Sequence, residues 1–423
     1  MKRLFFIIIA VCSFSISCFS QSGWQIISSG TSSNLNGVCF RNLITGYVCG
    51  ASGTILKTTN SGQNWFSLNS SVSYELRDIC FSGDSVGYCA GYSGIIKTTN
   101  SGINWIQVFG TGMNKICCKE GLVFAGGNYG IYKSSDAGQN WVNILPSSEG
   151  VINSIYFING LKGYGMGNNG LQRKTTNGGV NWIMGGYWGP GTYNFNKCYF
   201  LENDTGFAEC YYNTGSPYYT TGYAIYRSTY WIPGSSSWSL VYSSSIGIYA
   251  LTFSNNDTGY AVGGGLSGSS IASSVLKTVN RGNTWAPQTV NHNQILQDVF
   301  FIDSKKGYAV GNAGTILKTE TGGVTEINTV TGPIPSGYFL HQNYPNPFNP
   351  STTIKFDIPK SSVVRLSVYD ITGKEIETLV NEKLATGTYD TKWDASKYAG
   401  GVYFCILTAN NERLAVRRMV LIK

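Results

Sequence analysis

Histidine is nearly absent from this chain, with only His292 and His341 among 423 residues. Imidazole-based zinc sites and Ser-His-Asp relays need histidine held beside partners, so this scarcity argues against both. Asp84, Asp204, Asp257 and Asp303 all fall in short polar breaks between apolar runs, where a carboxylate's usual work is turn formation. Glu209 and Asp78 lie inside apolar runs instead, and they are the carboxylates left for a paired-acid glycosidase. Aromatics are the richer signal. Tyr187, Trp188 and Tyr193 fall in the stretch MGGYWGPGTYN at 184–194, and Tyr211, Tyr212, Tyr218 and Tyr219 in CYYNTGSPYYTTG at 210–222. Rigid rings with polar tips suit stacking on sugars or anchoring a protein partner. These seven are the candidate ligand-binding residues. No residue is assigned to catalysis, a cofactor or a metal.

Charge and cysteine narrow the classes further. Thirty basic and 22 acidic residues leave a net charge of +8, but no basic run exceeds the pairs Lys305-Lys306 and Arg417-Arg418. No basic stripe interleaves with aromatics, which excludes a nucleic-acid partner. Eleven cysteines are present, and Cys12 and Cys18 belong to the N-terminal apolar segment. The hairpin pairs Cys39 with Cys49, Cys80 with Cys89, and Cys198 with Cys210 would not share one register, as a common cross-strand bridge requires. Cys39, Cys80 and Cys117 recur in one column of the repeat. The mature cysteines are therefore expected to be buried thiols.

The elements that must position these side chains are short strands. Glycine accounts for 53 residues and charged residues for only 12%, while aromatics reach 14%. That composition favours turns and pleated strands over helices. Tryptophans recur at 24, 65, 105, 141, 182, 238 and 285. Between them returns an apolar run such as GVCF at 37–40, a second strand such as GYVCG at 46–50, a third such as GTILKT at 53–58, and a turn ending in Trp. Four strands in roughly 40 residues is the period of a propeller blade. The last unit lacks its tryptophan and Trp24 precedes any complete unit, so Trp24 to Ile27 is expected to supply the outer strand of the last blade. Closure removes an open sheet edge. The fold class is all-β: a seven-bladed β-propeller followed by a small Ig-like β-sandwich.

The turn Ser134 to Trp141 (SSDAGQNW) resembles the Asp-box of neuraminidase-type repeats, and Thr58–Trp65, Thr98–Trp105, Thr175–Trp182 and Thr278–Trp285 match it with Asn in place of Asp. The Asn or Asp is expected to accept from the backbone two residues on, and the glycine to take the positive φ. The array as a whole resembles the photosystem II assembly-factor type of propeller. The Asp-box resemblance implies scaffold rather than active site, and the assembly-factor resemblance is specific for fold and weak for function. Sialidase and xyloglucan-hydrolase propellers are alternatives, but no arginine cluster occupies equivalent positions, and the chain holds one propeller.

The ends carry addresses. Lys2 and Arg3 precede an apolar run from Leu4 to Cys12 and a small polar stretch to Ser20, the pattern of a signal peptide over 1–20. A propeller over 21–325 and a linker over 326–342 are expected next, with no transmembrane helix in the mature chain. Residues 343–423 open on Asn343-Tyr344-Pro345-Asn346-Pro347-Phe348-Asn349-Pro350, continue through YDITGK at 369–374 and GGVYF at 400–404, and end in a basic strand. This segment resembles the type A sorting domain of the type IX secretion system. The resemblance implies the secretion machinery as a partner, passage through the periplasm, and a secreted or cell-surface destination. The propeller's partner is then expected to be a glycan or surface protein, with a glycoside hydrolase or an assembly factor as the competing classes.

Overall fold

The computed structural model describes residues 23–186, 192–201, 204–213, 221–230, 238–267, 270–288, 290, 292–323, 327–330 and 334–422. Seven four-stranded antiparallel sheets lie within residues 23–323, and we number them as blades in chain order. The innermost strands are Leu35–Phe40, Leu76–Phe81, Lys115–Lys119, Ile152–Phe157, Thr192–Phe200, Gly247–Phe253 and Leu296–Phe301. Six blades use consecutive strands. In the seventh, Gly23–Ile27 pairs with Ile316–Gly323, in the register Gln25↔Lys318, Ile26↔Leu317 and Ile27↔Ile316. Trp24 is buried edge-to-face on Phe301, and its Nε1 donates to Gln288 Oε1 at 3.0 Å.

One repeated contact joins the blades. The aromatic ending each innermost strand stacks on the second-strand aromatic of the blade before it: Phe81 on Tyr47, Phe157 on Phe124, Phe200 on Tyr164, Phe253 on Phe207, Phe301 on Tyr260 and Phe40 on Tyr308, with centroids 3.4–4.3 Å apart. The same ring covers its own cross-strand glycine. A Cβ on Gly46 would sit 2.5 Å from the Phe40 ring, so the glycine of the GY pair is required by the ring above it. Between blades 2 and 3 the pattern changes at both positions. Cys118 replaces the ring, Val123 replaces the glycine it pairs with, and Cys118 is bridged to Cys80 of blade 2. The expectation of thiols throughout is corrected at this pair: removing a ring left room for an inter-blade bridge that no hairpin pairing would suggest. The other seven described cysteines are free.

The Asp-box turns follow one geometry. In blade 1, Thr58 Oγ1 accepts from Gly62 N–H at 2.9 Å, and Asn60 Oδ1 accepts from Asn64 N–H at 3.0 Å. The acceptor side chain thus reaches four residues on rather than two. Two successive residues, Ser61 and Gly62, take positive φ. In blade 3 the amide of Asn140, then its side chain and Ser134, hold the exposed Asp136 carboxyl down to about 2.

The glycine- and serine-rich stretch over 263–274 extends a ladder. Gly259–Ser267 and Ser270–Thr278 stay paired as far as Ser267↔Ser270, because small uncharged residues without proline let the register run on. The expected linker is corrected as well, since Ile327–Val330 pairs with Gly387–Asp394 as an edge strand of the second domain. That domain holds two four-stranded sheets around one core that includes Phe348, Leu366, Trp393, Cys405 and Met419. Its eight strands include Glu375–Leu384 and Ile327–Val330. The Pro-Asn-Pro-Phe segment pins the final strand: Phe348 N–H donates to Val420 O, Ile422 N–H to Phe348 O, and Val420 N–H to Asn346 Oδ1, each at 2.9 Å.

Candidate binding face

Innermost strands surround the axis, and the residue three places before the junction ring (Cys118 in blade 3) forms a column: Gly37, Asp78, Lys115, Ser154, Lys197, Ala250 and Asp298. Lys197 Nζ of blade 5 meets Asp298 Oδ1 of blade 7 at 2.9 Å, which is possible only across the centre of the ring. Lys115 Nζ lies 3.5 Å from Asp78 Oδ1. Both carboxylates also accept backbone amides of neighbouring blades, Asp298 from Val38 at 3.2 Å and Asp78 from Ile116 at 2.9 Å. Burial alone would raise the Asp298 carboxyl, but Lys197 and Lys115 carry it below the usual carboxylate range. Burial alone would lower the Lys115 ammonium, yet Asp78 and Asp298 hold it above its ordinary value. The axis is occupied by a neutral, mutually satisfied cluster that ties blades 2, 3, 5 and 7 together.

This arrangement bears directly on the carboxylates considered for hydrolysis. Asp78 is committed to Lys115 and an amide. Glu209 stands on the second strand of blade 5 and is fully buried, with Asn196 Nδ2 3.4 Å from Oε1 and no hydrogen-bond partner for Oε2. Burial pushes its pKa well above the ordinary value, which favours the neutral acid over the carboxylate. The structure does not bring Asp78 and Glu209 together. Thiol chemistry is disfavoured too, because burial raises Cys117 to about 11 and Cys198 to about 12. His292 is drawn below its ordinary value by burial, its Nε2 2.8 Å from Thr315 Oγ1. Among the described residues, no group of three or more His, Cys, Asp or Glu is placed to hold a metal.

The face where blade connections and second-to-third-strand loops emerge is built differently. A cavity of about 440 Å³ lies there between blades 2 and 3, with Tyr92, Tyr129, Tyr132, Arg77 and Asn128 in its wall. Tyr92 and Tyr129 are 67% and 54% exposed. The Arg77 guanidinium sits 5.5 Å from the Tyr92 ring centre, and its NH1 donates to Asn114 Oδ1 at 2.6 Å. A second cavity, of about 520 Å³, opens on blade 4 and is lined by Tyr193 with Glu149, Asn168, Asn169, Gln172 and Arg173.

Among the described residues, Tyr193 is thus an expected site residue that reaches a cavity. It pairs across the sheet with Tyr212, and both pack toward blade 4, whereas Tyr211 points the other way onto Tyr223, at 5.4 Å. Strand alternation therefore splits Tyr211 from Tyr193 and Tyr212. Tyr187, Trp188, Tyr218 and Tyr219 lie outside the described residues. Sequence reasoning missed Tyr92 and Tyr129 because it followed long loops, and these rings stand on loops of ordinary length. Aligning the two residues between each second and third strand would have found them.

Comparison with known proteins follows the two-domain division. Residues 342–423 match the secretion system C-terminal sorting domain family, and residues 16–111 match the photosynthesis system II assembly factor YCF48 family. Among solved structures, YCF48 bound to a D1 peptide is similar at 17% identity and a TM-score of 0.56, covering 72% of this chain and 98% of that one. YCF48 from Cyanidioschyzon merolae is similar at 18% identity and a TM-score of 0.56, covering 70% and 98%. A GH74 xyloglucanase from Xanthomonas campestris is similar at 11% identity and a TM-score of 0.54, covering 94% and 67%. No curated protein matches. The sorting domain addresses the chain to the type IX secretion route and so to the cell surface or extracellular space. Among the described residues, no helix is long and apolar enough to cross a membrane.

Proposed function

We propose that this chain is a noncatalytic binding module, exported by its sorting domain, that takes a glycan or a surface protein on the connection face of its propeller. The observation that carries this reading is the pair Tyr92 and Tyr129, left largely in water at the rim of a cavity with Arg77 beside them. Large exposed rings around a concavity mark interaction sites more often than scaffold. Tyr193, which lines the cavity on blade 4, extends the proposed surface toward blade 5. YCF48, which shares the fold, has been solved with a peptide bound, and that lends support to a protein ligand. The GH74 likeness keeps a hydrolase as the second reading. Against it stand the engagement of Asp78 with Lys115 and the burial of Glu209.

The test is a glycan and surface-protein binding screen on the purified chain, repeated with Tyr92→Ala/Tyr129→Ala. Losing a central aromatic anchor costs about 2 kcal/mol or more, roughly thirtyfold in affinity. The double variant is therefore expected to lose capture of a protein ligand while keeping its melting curve. Undiminished capture of a protein ligand would remove its site from the Tyr92–Tyr129 rim. Turnover of a polysaccharide that collapses on Asp78→Asn would establish the hydrolase instead.

A further inference from the structure

Blade 4 breaks the repeat where the other blades keep it. The third-strand residue equivalent to Gln172 is Ile55, Ile95, Ile131, Ile225, Val275 or Ile316 in the other six blades, as the cross-strand registers align them. The next residue is Leu56, Ile96, Tyr132, Tyr226, Leu276 or Leu317, against Arg173 here. Gln172 and Arg173 are only 2% and 9% exposed. Placing an amide and a guanidinium in an apolar column costs stability unless each is satisfied, and local rules are broken chiefly where function requires it.

Both side chains are held rigidly. Arg173 donates from Nε to Glu149 Oε2 at 3.0 Å and from NH1 to Gln172 O at 2.8 Å, and its NH2 also meets Glu149. Gln172 accepts from Trp238 Nε1 at 2.7 Å and donates to Gly186 O at 3.2 Å. Asn168 is oriented by Asn153 Nδ2 at 2.7 Å. Blade 4's outer strand is short, Ile183–Met184, followed by Gly185 N–H donating to Gln172 O at 3.1 Å, and the cavity opens beside this edge. Its volume of about 520 Å³ falls in the range of small-molecule sites.

We infer that this blade 4 cavity, lined by Glu149, Asn168, Asn169, Gln172, Arg173 and Tyr193, is a binding subsite for a neutral saccharide. The inference rests on the binding-module function proposed above. Glu149 cancels the charge of Arg173, so the lining favours neither an anion nor a cation. What remains are planar amides that both donate and accept, suited to adjacent hydroxyls, and a tyrosine ring that can take a sugar face. Preorganised donors of this kind lose little freedom on binding.

Restoring the repeat supplies the variant that tests the site. Gln172→Ile/Arg173→Leu gives blade 4 the third strand of blades 1 and 7. The fold should hold, because Trp65, Trp105, Trp141 and Trp285 already keep a buried Nε1 without a partner. The full chain would be titrated calorimetrically with cellotetraose, maltotetraose, mannotetraose and chitotetraose, and with tetragalacturonate as the charged contrast. At least one neutral tetrasaccharide is expected to bind, to weaken tenfold or more in the double variant, and to hold within twofold in Tyr92→Ala/Tyr129→Ala. Should the double variant unfold, Asn169→Gly serves instead. Asn169 is exposed at a φ of 54° that glycine takes freely, and its loss should weaken binding about fivefold. No binding by any neutral tetrasaccharide, preference for tetragalacturonate, or affinity indifferent to Gln172, Arg173 and Asn169 would each overturn the subsite. If the subsite falls in one of these ways, capture of a protein ligand that depends on Tyr92 and Tyr129 would still leave the binding module standing.

Discussion

The propeller and the sorting domain bury their apolar residues in opposite ways. The sandwich has one contiguous core, in which Trp393 touches Phe348, Tyr398 and Tyr403 and donates from Nε1 to Glu377 Oε2 at 3.0 Å. The propeller has seven smaller cores, each lying between two blades and each centred on the same small set of positions. A single core makes every strand answerable to every other. A divided core lets one junction change, as blades 2 and 3 did with a bridge, provided the ring of junctions stays closed. The propeller can therefore vary blade by blade, and blades 4 and 5 are where it has done so.

Breaking the ring should have the largest effect. Deleting residues 23–27 removes Trp24 and a whole paired strand, where losing the Trp side chain alone costs about 3–5 kcal/mol. Calorimetry should show the propeller's transition fall by well over 10 °C while the sandwich's holds. A propeller transition that does not move would refute the interdependence of the junctions. Trp393→Ala should cost a similar ~3–5 kcal/mol but confined to the sandwich, and it should also retain the chain in the periplasm.

Asp298→Asn comes next, because it leaves the partly buried Lys197 without its counter-charge, at up to about 3 kcal/mol. The wild-type contribution has a definite pH sign. Asp298 has a folded pKa below its unfolded value, so its stabilisation is present above about pH 4 and is lost as pH falls through the folded pKa. Urea midpoints between pH 2 and 6 should separate wild type from the variant only at the upper end.

Reinstating the ring contact between blades 2 and 3 sharpens the comparison further. Cys80→Ala/Cys118→Phe/Val123→Gly replaces the bridge with the stack used at the other junctions, and should stay within about 1.5 kcal/mol of wild type, as volume-conserving core swaps do. A large loss would mean that the junction has diverged beyond one position. The smallest effect is expected for Glu209→Gln. The folded pKa of Glu209 is raised, so its contribution is fully present below about pH 4 and declines as pH rises toward the folded value. The variant should therefore gain relative to wild type above pH 5, by a few degrees in Tm for about 1 kcal/mol, and the gain should vanish at pH 4.

Much of this was legible in the residues. The repeat, the fold class, the Trp24 strand and the sorting domain all follow from local pattern, because strand alternation, turn chemistry and a 40-residue period are written in adjacent positions. Only the tertiary structure decided which columns meet. Asp78, Lys115, Lys197 and Asp298 lie on four blades and give no sign in sequence that they share an axis. Cys118 sat one place beyond the cysteine column, and only the neighbouring blade showed its partner. Tyr211 and Tyr212 are adjacent in the chain yet face opposite junctions, since the pleat sends successive side chains to opposite sides. Gln172 and Arg173 read as ordinary polar residues until the register placed them in a column of isoleucine and leucine. What the chain order encodes is each blade. What the closed ring alone determines is which side chain of one blade stands against which of the next, because that depends on distances set by all seven together.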